Sequence, residues 1–138
     1  MAQARSEAKV HARPLSPHLQ VYSPLINMVM SILHRITGAA LYFGTLILVA
    51  WLLAAATGRG NYDLVTGFMK SPVGLLIMAG YTWALVHHAL GGIRHLIWDT
   101  GRGFNLKTVN VLSWLTILGS LVITGGIWFY ILKLRGLL

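Results

Sequence analysis

The sequence predicts an all-α integral membrane protein, a bundle of three transmembrane helices. Two observations lead there. Of 138 residues, 56% are hydrophobic and only 10% charged, with a mean hydropathy of +0.68, whereas a domain of this length that faces water carries about 25% charged residues. Three stretches, residues 36–58, 71–93 and 108–132, contain no Asp, Glu, Lys or Arg. Each exceeds the roughly 20 residues that a helix rising about 1.5 Å per residue needs to cross a hydrocarbon core about 30 Å thick.

Taken in order, residues 1–23 form an N-terminal segment ahead of the membrane, and residues 24–138 form one transmembrane domain. The first helix spans about 24–58, because Ser23 followed by Pro24 reads as an N-cap with proline at the first helical position. That length exceeds the bilayer thickness, so the helix must tilt or protrude. Gly58, Gly60 and Asn61 end it. The second helix spans about 71–98, opening at Ser71 and Pro72, with Thr100, Gly101 and Gly103 breaking the chain beyond it. The third spans about 108–132. Tyr22, Trp98, Trp114 and Tyr130 suit interfacial belts.

The 11 basic residues outnumber 3 acidic ones, a formal charge of +8. They flank the apolar runs, so the positive-inside bias accounts for them and no nucleic-acid partner is expected. Arg5, Lys9, Arg13, Arg35, Arg94, Arg102 and Lys107 fall on the N-terminal side; Arg59, Lys70, Lys133 and Arg135 fall on the other. That imbalance puts the N-terminus in the cytoplasm. No cleavable signal is expected, since the first long apolar run starts far from Met1. Cysteine is absent, which excludes disulfides, thiolate metal sites, iron–sulfur ligation and covalent haem attachment, leaving His as the strong transition-metal ligand.

Ionisable groups within a span are functional candidates, because their desolvation needs a partner or a cavity. One cluster is ALVHHALGGIRHLIWD, with His87, His88, Arg94, His95 and Asp99. Seven residues make close to two turns, so His88 and His95 share a face, with Gly91 and Gly92 between them. An imidazole beside a stripe lacking side chains suits a flat macrocycle, which makes His88 the candidate axial ligand of a haem iron. Arg94 and His95, about 10 Å nearer the N-terminal side, lie at the depth of haem propionates, and His87 points about 100 degrees away. The competing reading is an interhelical hydrogen bond with glycine packing notches. No other His stands at the depth of His88 in the first or third span, so a six-coordinate haem needs its second ligand from another chain.

The second cluster, SILHRITG, places Ser31, His34 and Arg35 on adjoining faces, with Gly38 one turn deeper. Either Arg35 snorkels to the headgroups and His34 sits in the interface, or a hydroxyl and a guanidinium bind a quinone carbonyl or a propionate. Elsewhere, His11 and His18 read as solvated or at a subunit interface, and Asp99 as paired with a nearby arginine or carrying protons. Lys133 and Arg135 read as anchors of the last helix, and Gly119, Gly125 and Gly126 as packing contacts.

RPLSPHLQVY (residues 13–22), SILHRITG (31–38) and HALGGIRHLIWD (88–99), in this order and followed by a third span, make the chain resemble the cytochrome b membrane anchors of succinate dehydrogenase. The resemblance covers nearly the whole chain. It implies one half of a heterodimeric haem-binding anchor in a bacterial inner membrane, with the mitochondrial inner membrane less favoured, serving the tricarboxylic acid cycle and respiratory electron transport. It implies no catalysis by the chain alone. The expected partners are a flavoprotein carrying FAD, an iron–sulfur subunit and a second, smaller anchor. One b-type haem is expected between the two anchors, with His88 as iron ligand on this side and a partner His opposite. The resemblance further assigns Ser31 and Arg35 to ubiquinone, with His34, Arg35 and His95 around the propionates and Asp99 near the same surface. Two other functions compete: the anchor of a quinol:fumarate reductase, and a small assembly or transporter component without redox function.

Overall fold

A computed structural model describes Ser16, His18 and residues 21–136. Most of the N-terminal segment, including His11 and most of the 13–22 motif, therefore lies outside the described residues. Among those described, four helices and no strands are present: α1 (Ile26–Thr57), α2 (Arg59–Lys70), α3 (Pro72–Asp99) and α4 (Leu106–Leu134). The helices α1, α3 and α4 are long and apolar enough to cross a membrane, so this is a multi-pass membrane protein. At 32 residues, α1 extends about 48 Å, well beyond a hydrocarbon core of about 30 Å.

Two helix ends differ from the sequence reading. Leu25, not Ser23, precedes the first helical turn, and no side chain caps it; Ser23 and Pro24 lie in non-helical chain before it. The segment after α1 is not a plain loop. Gly58 adopts φ 134°, a value open chiefly to glycine, and the chain re-enters a helix at Arg59. Gly60 and Asn61, expected to break structure, lie inside α2. The physical reason is amphipathicity: Tyr62, Val65, Thr66 and Met69 recur every three to four residues and give α2 a face to lay against α1 and α3. The start of α3 follows expectation, with Ser71 Oγ accepting from the Gly74 amide at 3.1 Å and Pro72 in the first turn. Asn105 caps α4 in the same way through the Thr108 amide at 2.8 Å. Gly101 and Gly103, both at positive φ, make the turn between α3 and α4, which the Trp98 indole closes by donating to the Gly103 carbonyl at 3.2 Å.

The helix α3 is central, packing against α1 on one side and α4 on the other. Its interfaces are made of small and polar residues. The buried apolar residues are Met30, Ala54 and Ala84, beside Thr37, His87, Arg94, Ser113, Thr116 and Ser120. Lipid supplies no hydrophobic force between helices, so close backbone approach and interhelical hydrogen bonds hold such bundles. Gly44 shows the approach: a Cβ there would collide with the Tyr81 ring. Gly119 packs on Leu90, but a Cβ at Gly125 or Gly126 would meet nothing, so those two glycines are not packing notches within this chain. Large apolar side chains such as Leu46, Leu76, Val122 and Phe129 face outward.

Candidate functional site

The groove between α1 and α3 gathers three imidazoles. His88, near the middle of α3, lies over α1 with its Nδ1 3.1 Å from the His34 carbonyl and 3.4 Å from the Thr37 hydroxyl. The Thr37 hydroxyl proton is already donated to the Leu33 carbonyl at 2.8 Å, so its oxygen is free to accept. The His34 carbonyl can only accept, so this contact favours the tautomer with its proton on Nδ1. In that tautomer the Nε2 lone pair is the ring's ligating position. A backbone carbonyl or hydroxyl on the far nitrogen is the ordinary outer support of a metal-bound histidine.

The His34 ring lies parallel to His88, centroids 4.0 Å apart with planes at 6°, and His95 stands 5.1 Å from His34. Two glycines create this fit. A Cβ at Gly38 would come within 3.0 Å of His88 Cε1, and one at Gly91 within 2.5 Å of His34 Nδ1. A Cβ at Gly92, by contrast, would meet nothing, so the stripe from His88 past Gly92 toward exposed His95 is open. An imidazole beside a stripe without side chains is the donor arrangement that a flat, metal-bearing macrocycle requires.

His34 corrects one expectation. Its ring reaches His88, because α1 begins at Ile26 and His34 lies two turns inside the helix, turned toward α3. A second imidazole therefore does stand near the depth of His88. Arg94 corrects another. It is 3% exposed and points away from the groove into the α3–α4 interface, donating to Ser113 Oγ at 3.4 Å and lying 5.0 Å from the Trp98 ring centroid. The aromatic face and the hydroxyl receive the charge there. It does not stand with His95. His87 is wholly buried on the same side, its Nδ1 3.2 Å from Ser120 Oγ.

Of the other sequence candidates, Ser31 is half-buried and Arg35 exposed on α1, one turn apart around His34, and Asp99 is exposed at the last residue of α3. None of these three takes part in the hydrogen bonds that tie α1 to α3. Thr37 was missed. Its signal was the spacing, three residues beyond His34 on the stripe that continues to Gly38 and faces α3.

The family model for the succinate dehydrogenase/fumarate reductase transmembrane subunit matches residues 9–127. The chain belongs to that family. Relatives within it include the succinate dehydrogenase cytochrome b556 subunit of Rickettsia conorii, 40% identical over 84% of this chain and 90% of the relative. The Paracoccus denitrificans subunit of the same name is 41% identical over 80% and 85%. The mitochondrial succinate dehydrogenase cytochrome b560 subunit of Sus scrofa is 38% identical over 78% and 68%. The matched region contains both histidine clusters, α1 to α3 and most of α4, so the α1–α3 groove lies within the family's common part.

Proposed function

We propose that this chain is a cytochrome b anchor of succinate:ubiquinone oxidoreductase, working in a bacterial inner membrane with its N-terminus in the cytoplasm. The observation that carries this reading is the contact of His88 Nδ1 with the His34 carbonyl at 3.1 Å and the Thr37 oxygen at 3.4 Å, which supports a proton on Nδ1. An imidazole held this way presents Nε2 as an iron ligand. A haem b bound there supplies a one-electron redox centre within the membrane.

His34 does not serve as the opposing ligand. Its ring lies face to face on that of His88, so the two imidazoles do not converge on a common point between them. The second, smaller anchor therefore supplies the other His. His95, exposed two turns toward the cytoplasmic end, joins His34 and Arg35 in holding the propionates. Asp99 lies near the same surface.

Ubiquinone binds at the start of α1. The Ser31 hydroxyl donates to a quinone carbonyl, and the Arg35 guanidinium, without a hydrogen-bond partner among the described residues, stabilises negative charge on the reduced oxygen. A long isoprenoid tail enters from lipid, which the exposed apolar residues Val29, Ile32 and Ile36 adjoin. Electrons arrive from partner subunits that carry FAD and iron–sulfur clusters, since a chain without cysteine holds no such cluster. Succinate oxidation is likewise the partners' chemistry.

Purification through a tag on this chain tests the reading. The expected preparation contains a flavoprotein, an iron–sulfur protein, a second small membrane chain and one haem b, and reduces ubiquinone with succinate. A preparation with neither flavin nor haem contradicts it.

A further inference from the structure

The far end of the bundle holds a second site, separate from the α1–α3 groove and independent of the function proposed for it. A cavity of about 380 Å³ opens between α2, α3 and α4. Two cations from different elements line it: Lys70, the last residue of α2, and Arg135, just past α4. Met69, Met78 and Ile131 contribute apolar wall. Two buried polar hydrogens on the same wall, on Trp128 Nε1 and Thr66 Oγ1, have no partner. A buried donor left unpaired is costly and signals an acceptor supplied from outside the chain.

Charge points the same way. With three crossings, Arg59, Lys70, Lys133 and Arg135 share this end, and among the described residues Asp63 alone opposes them. Cations that the chain cannot neutralise meet an anion from elsewhere. Apolar wall beneath two cations, at the level where the spans end, suits a molecule with an anionic head and a hydrocarbon body. Acceptor oxygens between head and body would serve the indole and the hydroxyl.

We propose that this cavity binds an anionic glycerophospholipid, its phosphate between Lys70 and Arg135, an acyl chain along Met69, Met78 and Ile131, and its ester carbonyls at Trp128 and Thr66. Two basic residues near a bilayer surface favour an anionic lipid by on the order of ten- to thirty-fold.

The test uses the intact complex, purified in detergent and offered phosphatidylglycerol or phosphatidylcholine in turn, with bound lipid counted by native mass spectrometry. The expected result is a preference for phosphatidylglycerol of about ten-fold or more. Millimolar inorganic phosphate leaves it bound, and the Lys70→Gln/Arg135→Gln variant reduces the preference to near parity. Trp128→Phe, which keeps the ring and removes the donor, weakens retention of both lipids. Equal retention of the two lipids by the wild-type complex overturns the proposal. So does displacement by phosphate alone, which marks a free-anion site, and so does cross-linking of Lys70 to a partner carboxylate. If the double variant fails to assemble, the wild-type preference decides.

Discussion

His88 donates its Nδ1 proton to the backbone carbonyl of His34, 3.1 Å away on the neighbouring helix. The bond fixes three things together: the tautomer of His88, the orientation of its ring and the register of α3 on α1. Because the acceptor belongs to the backbone, no substitution at residue 34 deletes it directly. His34→Ala is therefore expected to keep the haem while changing the propionate surroundings, read as a shifted midpoint potential with the haem-to-flavin ratio near that of the wild type.

The hydroxyl of Thr37 shares the same proton at 3.4 Å. Thr37→Val keeps the shape and removes the acceptor, leaving the His34 carbonyl in place. Haem is expected to remain, with a small change in potential, because the basicity of a metal-bound imidazole follows its outer hydrogen bonds. Potentiometric titration of the purified complex checks this, and an unchanged potential counts against a role for Thr37.

Gly38 and Gly91 are where an added side chain would press on the two stacked imidazoles. Gly38→Val is expected to push His88 off the carbonyl and lower haem content several-fold, with Gly38→Ala milder, since the nearest atom is 3.0 Å from the added Cβ. Gly91→Ala drives a methyl to 2.5 Å from His34, and overpacking of this kind costs about 1–3 kcal/mol. Haem-to-flavin ratios and thermal melting of the complex measure both.

Ser31→Ala and Arg35→Ala should slow quinone reduction while succinate oxidation by an artificial acceptor persists. A lost hydrogen bond to a charged group is worth about 1.5–3 kcal/mol, roughly ten- to a hundred-fold in rate for Arg35. The loss for Ser31 should be smaller. Equal loss of both activities in an intact complex contradicts the assignment.

Arg94 is expected to act through stability. Arg94→Leu removes the Ser113 bond and the stacking on Trp98, a loss of about 1–3 kcal/mol, seen as a lower melting temperature with an unaltered haem spectrum. A changed spectrum at normal stability would place Arg94 in the site after all.

How far the sequence reached depends on which force dominated locally. Uninterrupted apolar runs made the three spans plain, and Ser71 with Pro72 marked the start of α3, because hydration and capping are local. The helix α2 was hidden by Gly58, Gly60 and Asn61, whose breaking tendency holds only at Gly58; the amphipathic face that overrides the other two gains its stability by packing on α1 and α3. Arg94 was misplaced for a related reason. A charge near a helix end ordinarily seeks a polar surface, and only tertiary structure reveals an indole and a hydroxyl ready to receive it. That His88, Gly92 and His95 share one stripe of α3 was readable from their spacing. The support of Nδ1 by His34 and Thr37 was not, since it depends on which face of α1 meets α3.

The most direct test of the central claim is the reduced-minus-oxidised spectrum of the complex carrying His88→Ala, beside His87→Ala as the control one position away. His88→Ala should lose or strongly weaken the b-type band while the complex still assembles, and His87→Ala should retain it. A band unchanged in His88→Ala, or lost only in His87→Ala, would contradict the account.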